Sequence, residues 1–165
     1  MGHLRLTLVE RLGDRASRWI THNEARITAD LGHRLGLLAP GIRDLGITAR
    51  VIHHLLLSHG LAVQAFRAAG GKGEIGITHA NASFEPGDDA PETAAATELA
   101  RDFHTRLYHD PIYGRGYPET VQRYHEERDA PFPVRDGDLE TIAAETDFLG
   151  VNLYTRNRVL PDEGR

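Results

Sequence analysis

The sequence alternates short apolar runs with stretches of helical periodicity, and this alternation constrains the fold more than any other feature. Residues 16–23, 74–80 and 148–154 each predict a buried strand. Helical patterns lie between them, and the most regular one covers residues 48–68. Strands that alternate with helices indicate right-handed β-α units, and therefore a parallel sheet covered by helices.

Shorter helical patterns fill much of the remaining chain. They cover residues 4–12, 91–109, about 119–128 and 139–145. Residues 25–44 differ, because Gly32, Gly36, Pro40 and Gly41 interrupt any regular pattern. We therefore predict a loop there, with at most one helical turn.

Three strands are few for a parallel sheet. Such a sheet has two unpaired edges, which natural proteins avoid by closing a barrel or by adding strands. A length of 165 residues fits one domain. The sequence thus predicts an α/β fold with an incomplete sheet.

Charge and cysteine content exclude several classes of protein. The 19 Lys and Arg against 24 Asp and Glu give a net charge of −5, which argues against binding to nucleic acid or to an anionic membrane. The absence of cysteine excludes disulfides and fits a reducing compartment. Charges interrupt the first apolar run, so no signal peptide is expected, and no stretch is apolar enough to span a membrane. We predict a cytoplasmic protein.

Polar side chains stand at the ends of the first and third predicted strands. Asn23 and Glu24 end the first strand, and Asn152 and Tyr154 lie near the end of the third. In parallel barrels the reacting groups gather at this end of the strands. A single carboxylate is more often a solvated surface group, and a strand-end amide or tyrosine is more often structural. Taken alone, these residues leave both interpretations open.

Residues 19–24, Trp-Ile-Thr-His-Asn-Glu, resemble the T-x-N-E-P strand of glycoside hydrolase family 1, the β-glucosidases and β-galactosidases. The agreement continues in order at Ala39-Pro40-Gly41, residues 53–60, Gly76-Ile77-Thr78, Asp110-Pro111, Gly116-Tyr117-Pro118 and residues 147–155. Ordered agreement over nearly the whole chain is a stronger signal than any single motif. The resemblance implies a partial (β/α)8 TIM barrel, with residues 1–165 as one incomplete segment around strands four to six.

The same resemblance implies roles for four residues in a retaining glycosidase. Glu24 corresponds to the general acid/base, and Asn23 to the amide that hydrogen-bonds the sugar 2-hydroxyl. Tyr154 corresponds to the tyrosine that orients the nucleophilic carboxylate, and Asn152 lines the site. The implied substrate is a β-glycoside or an oligosaccharide, and no cofactor or metal is implied.

Retaining glycosidases need two carboxyl groups about 5–5.5 Å apart. Family members carry the nucleophile in a T-E-N-G motif on a later strand, which these 165 residues do not contain. We therefore expect a fragment that is inactive, or nearly so, by itself. The alternative is a non-catalytic remnant or interaction module that assembles through its open sheet edges, by self-association or by pairing with the missing barrel segments.

Several residues depart from the family's usual pattern around the predicted site. Ala25-Arg26 stand where the family usually has Pro-Trp, and Asp30 replaces an apolar or aromatic residue. His33 replaces a usual tyrosine, and Leu38 a usual histidine. These changes indicate either relaxed constraint on a remnant or an altered aglycone pocket.

Two other patterns suggest ligands but are better explained structurally. Of the ten histidines, His54 and His59 share one predicted helix but are five residues apart, so their side chains diverge. We interpret the histidines as packing and surface residues and predict no metal site. Residues 70–73, Gly-Gly-Lys-Gly, lack the spacing of a phosphate-binding loop and predict a turn between helix and strand.

Overall fold

The computed structural model describes residues 2–160, with side chains from residue 7 onward, and contains one three-stranded parallel sheet. Its strands are β1 (Arg18–Asn23), β2 (Glu74–Pro86) and β3 (Phe148–Val159), in the order β1-β2-β3. The predicted parallel α/β sheet is confirmed. Strands β2 and β3 continue beyond their predicted ends, to Pro86 and Val159, because the two strands remain paired there.

Helices connect the strands and cover one side of the sheet. They are α1 (Gly2–Leu12), α2 (Ala25–Ala29), α3 (Leu45–Ala68), α4 (Pro91–Arg101), α5 (Leu107–His109), α6 (Glu119–Glu126) and α7 (Asp138–Ile142). Single π-helical turns extend α2 through Asp30–Arg34 and join α4 to α5 through Asp102–Arg106. Among residues 2–160, no helix is both long enough and apolar enough to cross a membrane.

Helix α3 forms the main cover of the sheet. The Asp44 carboxylate caps it by accepting a hydrogen bond from the Ile47 N–H at 2.7 Å, so the helix begins three residues before the predicted start. Ile52 and Leu56 are buried with Ile77 of β2 in the main hydrophobic core. Gly60 allows α7 to approach, because a Cβ at this position would lie 1.8 Å from the Thr141 carbonyl oxygen. The sheet, α3 and α7 thus pack around one hydrophobic core.

The prediction of a loop over residues 25–44 is wrong for its first ten residues, which form α2 and its π-helical turn. Gly32 lies inside this turn instead of ending it. A Cβ there would lie 2.9 Å from the Ala39 carbonyl oxygen, so the glycine permits close packing of the following loop. Residues 36–44 are non-helical, as predicted.

Candidate active site

The candidate site lies beside the end of β1, across β2 from the middle of β3. The sequence predicts Asn152 and Tyr154 near the end of the third strand, but β3 continues past them to Val159. Asn23 is level with Thr78 of β2, and Asn152 of β3 is level with Ala80. Because the strands are parallel and in register, the end of β1 and the middle of β3 lie at nearly the same level of the sheet. Residues separated by about 130 positions in the sequence therefore become neighbours.

Glu24 joins β1 to α2 in an unusual backbone conformation. Its φ of 55° and ψ of 52° are left-handed, and among residues 2–160 only Asp129 shares a positive φ without being glycine. The Glu24 N–H donates to the Thr78 carbonyl at 2.8 Å, and the Glu24 carbonyl accepts from the Ile27 N–H at 2.9 Å. The last hydrogen bond of the sheet and the first hydrogen bond of the helix thus hold Glu24 in a strained backbone conformation. Such strain costs about 1–3 kcal/mol and is concentrated at functional sites.

Two irregularities in the sheet redirect side chains near Glu24. The β1–β2 register shifts between Ile20 and Asn23. On β3, Leu153 pairs with Asn81 and Thr155 with Ala82, which leaves Tyr154 as an extra residue. A bulge of this kind changes the direction of a side chain and is common beside active sites. No feature of the sequence indicates either irregularity.

The structure brings the four predicted site residues together. The Asn152 Nδ2 donates to Glu24 Oε1 at 2.8 Å and lies 3.2 Å from Asn23 Oδ1. The Tyr154 hydroxyl lies 3.5 Å from the same Glu24 oxygen, which makes it a long contact. Glu24 and Asn152 are half-buried, whereas Asn23 and Tyr154 are exposed. The result is an accessible carboxyl oriented by an amide, with the geometry to exchange a proton with a bound ligand.

Arg26 and Asp30, two residues that depart from the family pattern, contact each other. The Arg26 Nη1 lies 3.5 Å from Asp30 Oδ2, and its Nε donates to the Ala80 carbonyl at 3.3 Å. Arg34 donates from Nε to the other Asp30 oxygen at 3.3 Å. Because a buried carboxylate needs compensating partners, these charged residues stabilise one another. We call Arg26, Asp30 and Arg34 the charge ladder.

The charge ladder has a sequence signal that the predicted loop obscured. Its residues are spaced at i, i+4 and i+8, which places alternating charges on one face of a helix. The other two residues that depart from the family pattern, His33 and Leu38, do not belong to the charge ladder. His33 donates from Nδ1 to the Thr28 carbonyl at 3.0 Å, and Leu38 is half exposed.

The described histidines mainly connect elements of the fold. His53, for example, bridges the Tyr117 hydroxyl and the Asp138 carboxylate, each at 3.0 Å. His79 of β2 is only 1 % exposed, and burial together with the neighbouring His109 lowers its pKa to about 3. Within residues 2–160, no three His, Cys, Asp or Glu side chains are grouped so that they could hold a metal ion.

Comparison with known proteins assigns the chain to a family. Its sequence matches the profile of glycosyl hydrolase family 1 over residues 4–164. The chain belongs to this family. It is 38 % identical over 153 residues to β-glucosidase A of Thermotoga maritima, covering 92 % of this chain and 34 % of that protein. The chain thus spans about a third of the length of the curated relative.

Solved structures give the same assignment for the fold. The AHE enzyme of Alicyclobacillus herbarius superposes with a TM-score of 0.94 at 43 % identity, covering 99 % of this chain and 37 % of that one. A β-glucosidase of Exiguobacterium marinum superposes with a TM-score of 0.93 at 32 % identity, covering 99 % and 38 %. The predicted fold class, part of a (β/α)8 barrel, is confirmed for this family 1 chain.

Proposed function

We propose that this family 1 chain supplies the acid/base half of a retaining β-glycosidase site, within a single barrel segment formed by residues 1–165. Glu24 donates a proton to the leaving oxygen and then removes one from the attacking water. The observation that carries the proposal is the hydrogen bond from Asn152 to the Glu24 carboxyl, which joins the middle of β3 to the residue that follows β1.

The other site residues complete this assignment. Asn23 binds the sugar 2-hydroxyl beside the acid/base, and Asn152 orients the Glu24 carboxyl. Tyr154 is directed to the nucleophilic carboxylate of the complete site, which suits its exposed ring and its long contact with Glu24. The substrate is a β-glycoside or an oligosaccharide, as the β-glucosidase names of the relatives suggest. The cytoplasmic location expected from the sequence also stays a prediction.

We assign no nucleophile within the 165 residues, so the chain alone should not hydrolyse an aryl β-glucoside. A chimera tests this directly: residues 4–164 replace the matching segment of the Thermotoga β-glucosidase. The chimera should hydrolyse the substrate, and Glu24→Gln should abolish turnover. Glu74→Gln is the matched control, because Glu74 pairs with Arg18 at the opposite end of the sheet.

Turnover by the chain alone would contradict the missing nucleophile. A folded but inactive chimera, or one that stays active after Glu24→Gln, would contradict the role of Glu24.

A second proposal is a non-catalytic module that assembles through its sheet edges. It is supported by the strand order, in which β1 and β3 each pair on one side only within residues 2–160, and by the exposure of Val151 and Leu153 on β3, 50 % and 61 %. Sedimentation of the chain tests it, since a defined oligomer is expected from a module and a monomer contradicts it.

A further inference from the structure

A cavity of about 250 Å³ lies among the helices, apart from the candidate active site. It is formed by the π-helical turn after α2, by α3, by the segment joining α4 to α5, and by α6. None of the four proposed site residues lines it. Its polar wall carries Asp30, Arg34, His104 and His125, and its apolar wall includes Ile52 and Phe103.

The charge ladder beside the cavity has an excess of positive charge. Asp30 is 8 % exposed and lies between the guanidinium groups of Arg34, which lines the cavity, and Arg26, which lies behind it, so the three residues carry a net charge of +1. Among residues 2–160, Arg34 forms a hydrogen bond only through Nε. Its terminal nitrogens therefore retain N–H groups suited to a planar anion.

Two imidazoles face the same space. His125 is 3 % exposed, and its Nδ1 must carry a proton because it donates to the Ala130 carbonyl at 3.0 Å. The Nε2 of the neutral ring is then left as an acceptor. His104 Nδ1 is buried with no hydrogen-bond partner in the described chain. Both rings become donors when they are protonated beside an anion.

Burial disfavours protonation of these imidazoles. It is the main cause that lowers the pKa of His104 and of His125, and nearby arginines lower both further. A bound anion would oppose these effects and favour proton uptake. The charged and titratable residues that line the cavity or act on it are Asp30, Arg34, His104, Tyr124 and His125, with Arg26 and Arg128 behind them.

We propose that this cavity binds a small organic carboxylate, with its charged end on Arg34 and the two imidazoles and its apolar body against Ile52 and Phe103. The apolar wall favours such a ligand over an inorganic anion. The volume is below the roughly 300–1,000 Å³ typical of sites for drug-sized ligands, so the ligand is of about the size of benzoate. This inference does not depend on the proposed glycosidase function.

Calorimetric titration of the full chain with sodium benzoate tests the proposal, with benzyl alcohol and sodium phosphate as comparisons. Benzoate should bind saturably, and each comparison ligand at least tenfold more weakly. Arg34→Gln should weaken benzoate binding at least tenfold, because it removes a charge-assisted hydrogen bond. Arg34 is 44 % exposed, so the variant should fold, as circular dichroism can verify. Arg115→Gln, at an arginine 73 % exposed outside the cavity, should change the affinity less than twofold.

The net charge of the ladder also predicts a variant that binds benzoate more tightly. Asp30→Asn raises the net charge of the ladder to +2 and should tighten benzoate binding, whereas a purely structural role for Asp30 would not. Binding to the unaltered chain should tighten from pH 7.5 to pH 6 as the imidazoles take up a proton. Absence of saturable binding, equal binding of benzyl alcohol, or an unchanged affinity in Arg34→Gln would overturn the proposal.

Discussion

Strands β2 and β3 are neighbours in one sheet with similar apolar patterns, yet their helix-facing sides have opposite environments. Ile77 and His79 of β2 are 0 % and 1 % exposed. Val151, the register partner of His79, is 50 % exposed, and Leu153 further along β3 is 61 % exposed. Helices cover these β2 side chains, whereas Val151 and Leu153 of β3 remain largely open to solvent. The comparison shows that one strand pattern forms either a core or a surface, depending on what packs against it.

The largest expected effect comes from truncating matched apolar residues in the two strands. Ile77→Ala should lower the free energy of unfolding by about 2–5 kcal/mol, because it leaves a cavity in the main core. Leu153→Ala should change it by less than about 0.5 kcal/mol, because the side chain is already in water. Urea denaturation of the chain measures both. Similar losses in the two variants would show that β3 is covered in solution.

The pH dependence of stability tests the difference between β2 and β3 at His79. Its folded-state pKa of about 3 lies below the unfolded value of 6.5, so between these values the unfolded state binds a proton that the folded state does not. The free energy of unfolding should therefore decrease as the pH falls through this window, by about 1–2 kcal/mol from pH 6.5 to 5. His79→Phe should remove this part of the pH dependence.

The control for His79→Phe is Val151→Phe, at the partner position on the exposed strand. It should keep the pH dependence of the unaltered chain. If His79→Phe leaves the dependence unchanged as well, the imidazole titrates freely and the β2 side is less well covered than the structure shows.

A smaller effect on stability is expected at Glu24, which hydrogen-bonds to Thr78 of β2 and to Asn152 of β3. Glu24→Gly should raise the free energy of unfolding by about 0.5–1 kcal/mol, because glycine adopts the left-handed conformation without strain. Asp129→Gly, at the other non-glycine residue with a positive φ, is the comparison and should give a similar gain. Denaturation curves measure both. A loss of stability at Glu24 alone would mean that its side-chain contacts outweigh the backbone strain.

The sequence predicted the sheet and most helices because those elements carry their own periodicity. Helix α3 has a continuous apolar stripe, and the helix from Pro91 has clear start and stop signals. The sequence does not indicate α2 and its π-helical turn, because Gly32 is typical of a break in a helix, whereas in the structure it permits close packing against Ala39. The second half of β3 was missed because its paired residues are polar, and strand pairing does not require an apolar pattern.

The sequence indicates which residues belong to the candidate site, but not their backbone conformations or the directions of their side chains. Family resemblance identified Asn23, Glu24, Asn152 and Tyr154, and parallel strands were sufficient to expect their convergence. The left-handed backbone at Glu24 and the bulge at Tyr154 depend on interstrand hydrogen bonds that no local pattern records. The cavity beside the charge ladder depends on four separate elements, so only the i, i+4 spacing of its charges was visible.

The most direct test of the central claim, that Glu24 is the acid/base, compares leaving groups in the chimera that carries residues 4–164. Substrates with poor leaving groups need protonation, whereas activated aryl glucosides need little. We predict that Glu24→Ala lowers kcat/KM at least 100-fold for an alkyl β-glucoside and much less for a dinitrophenyl β-glucoside, and that azide accelerates turnover of the latter. An equal loss for both substrates, without a response to azide, would contradict the claim.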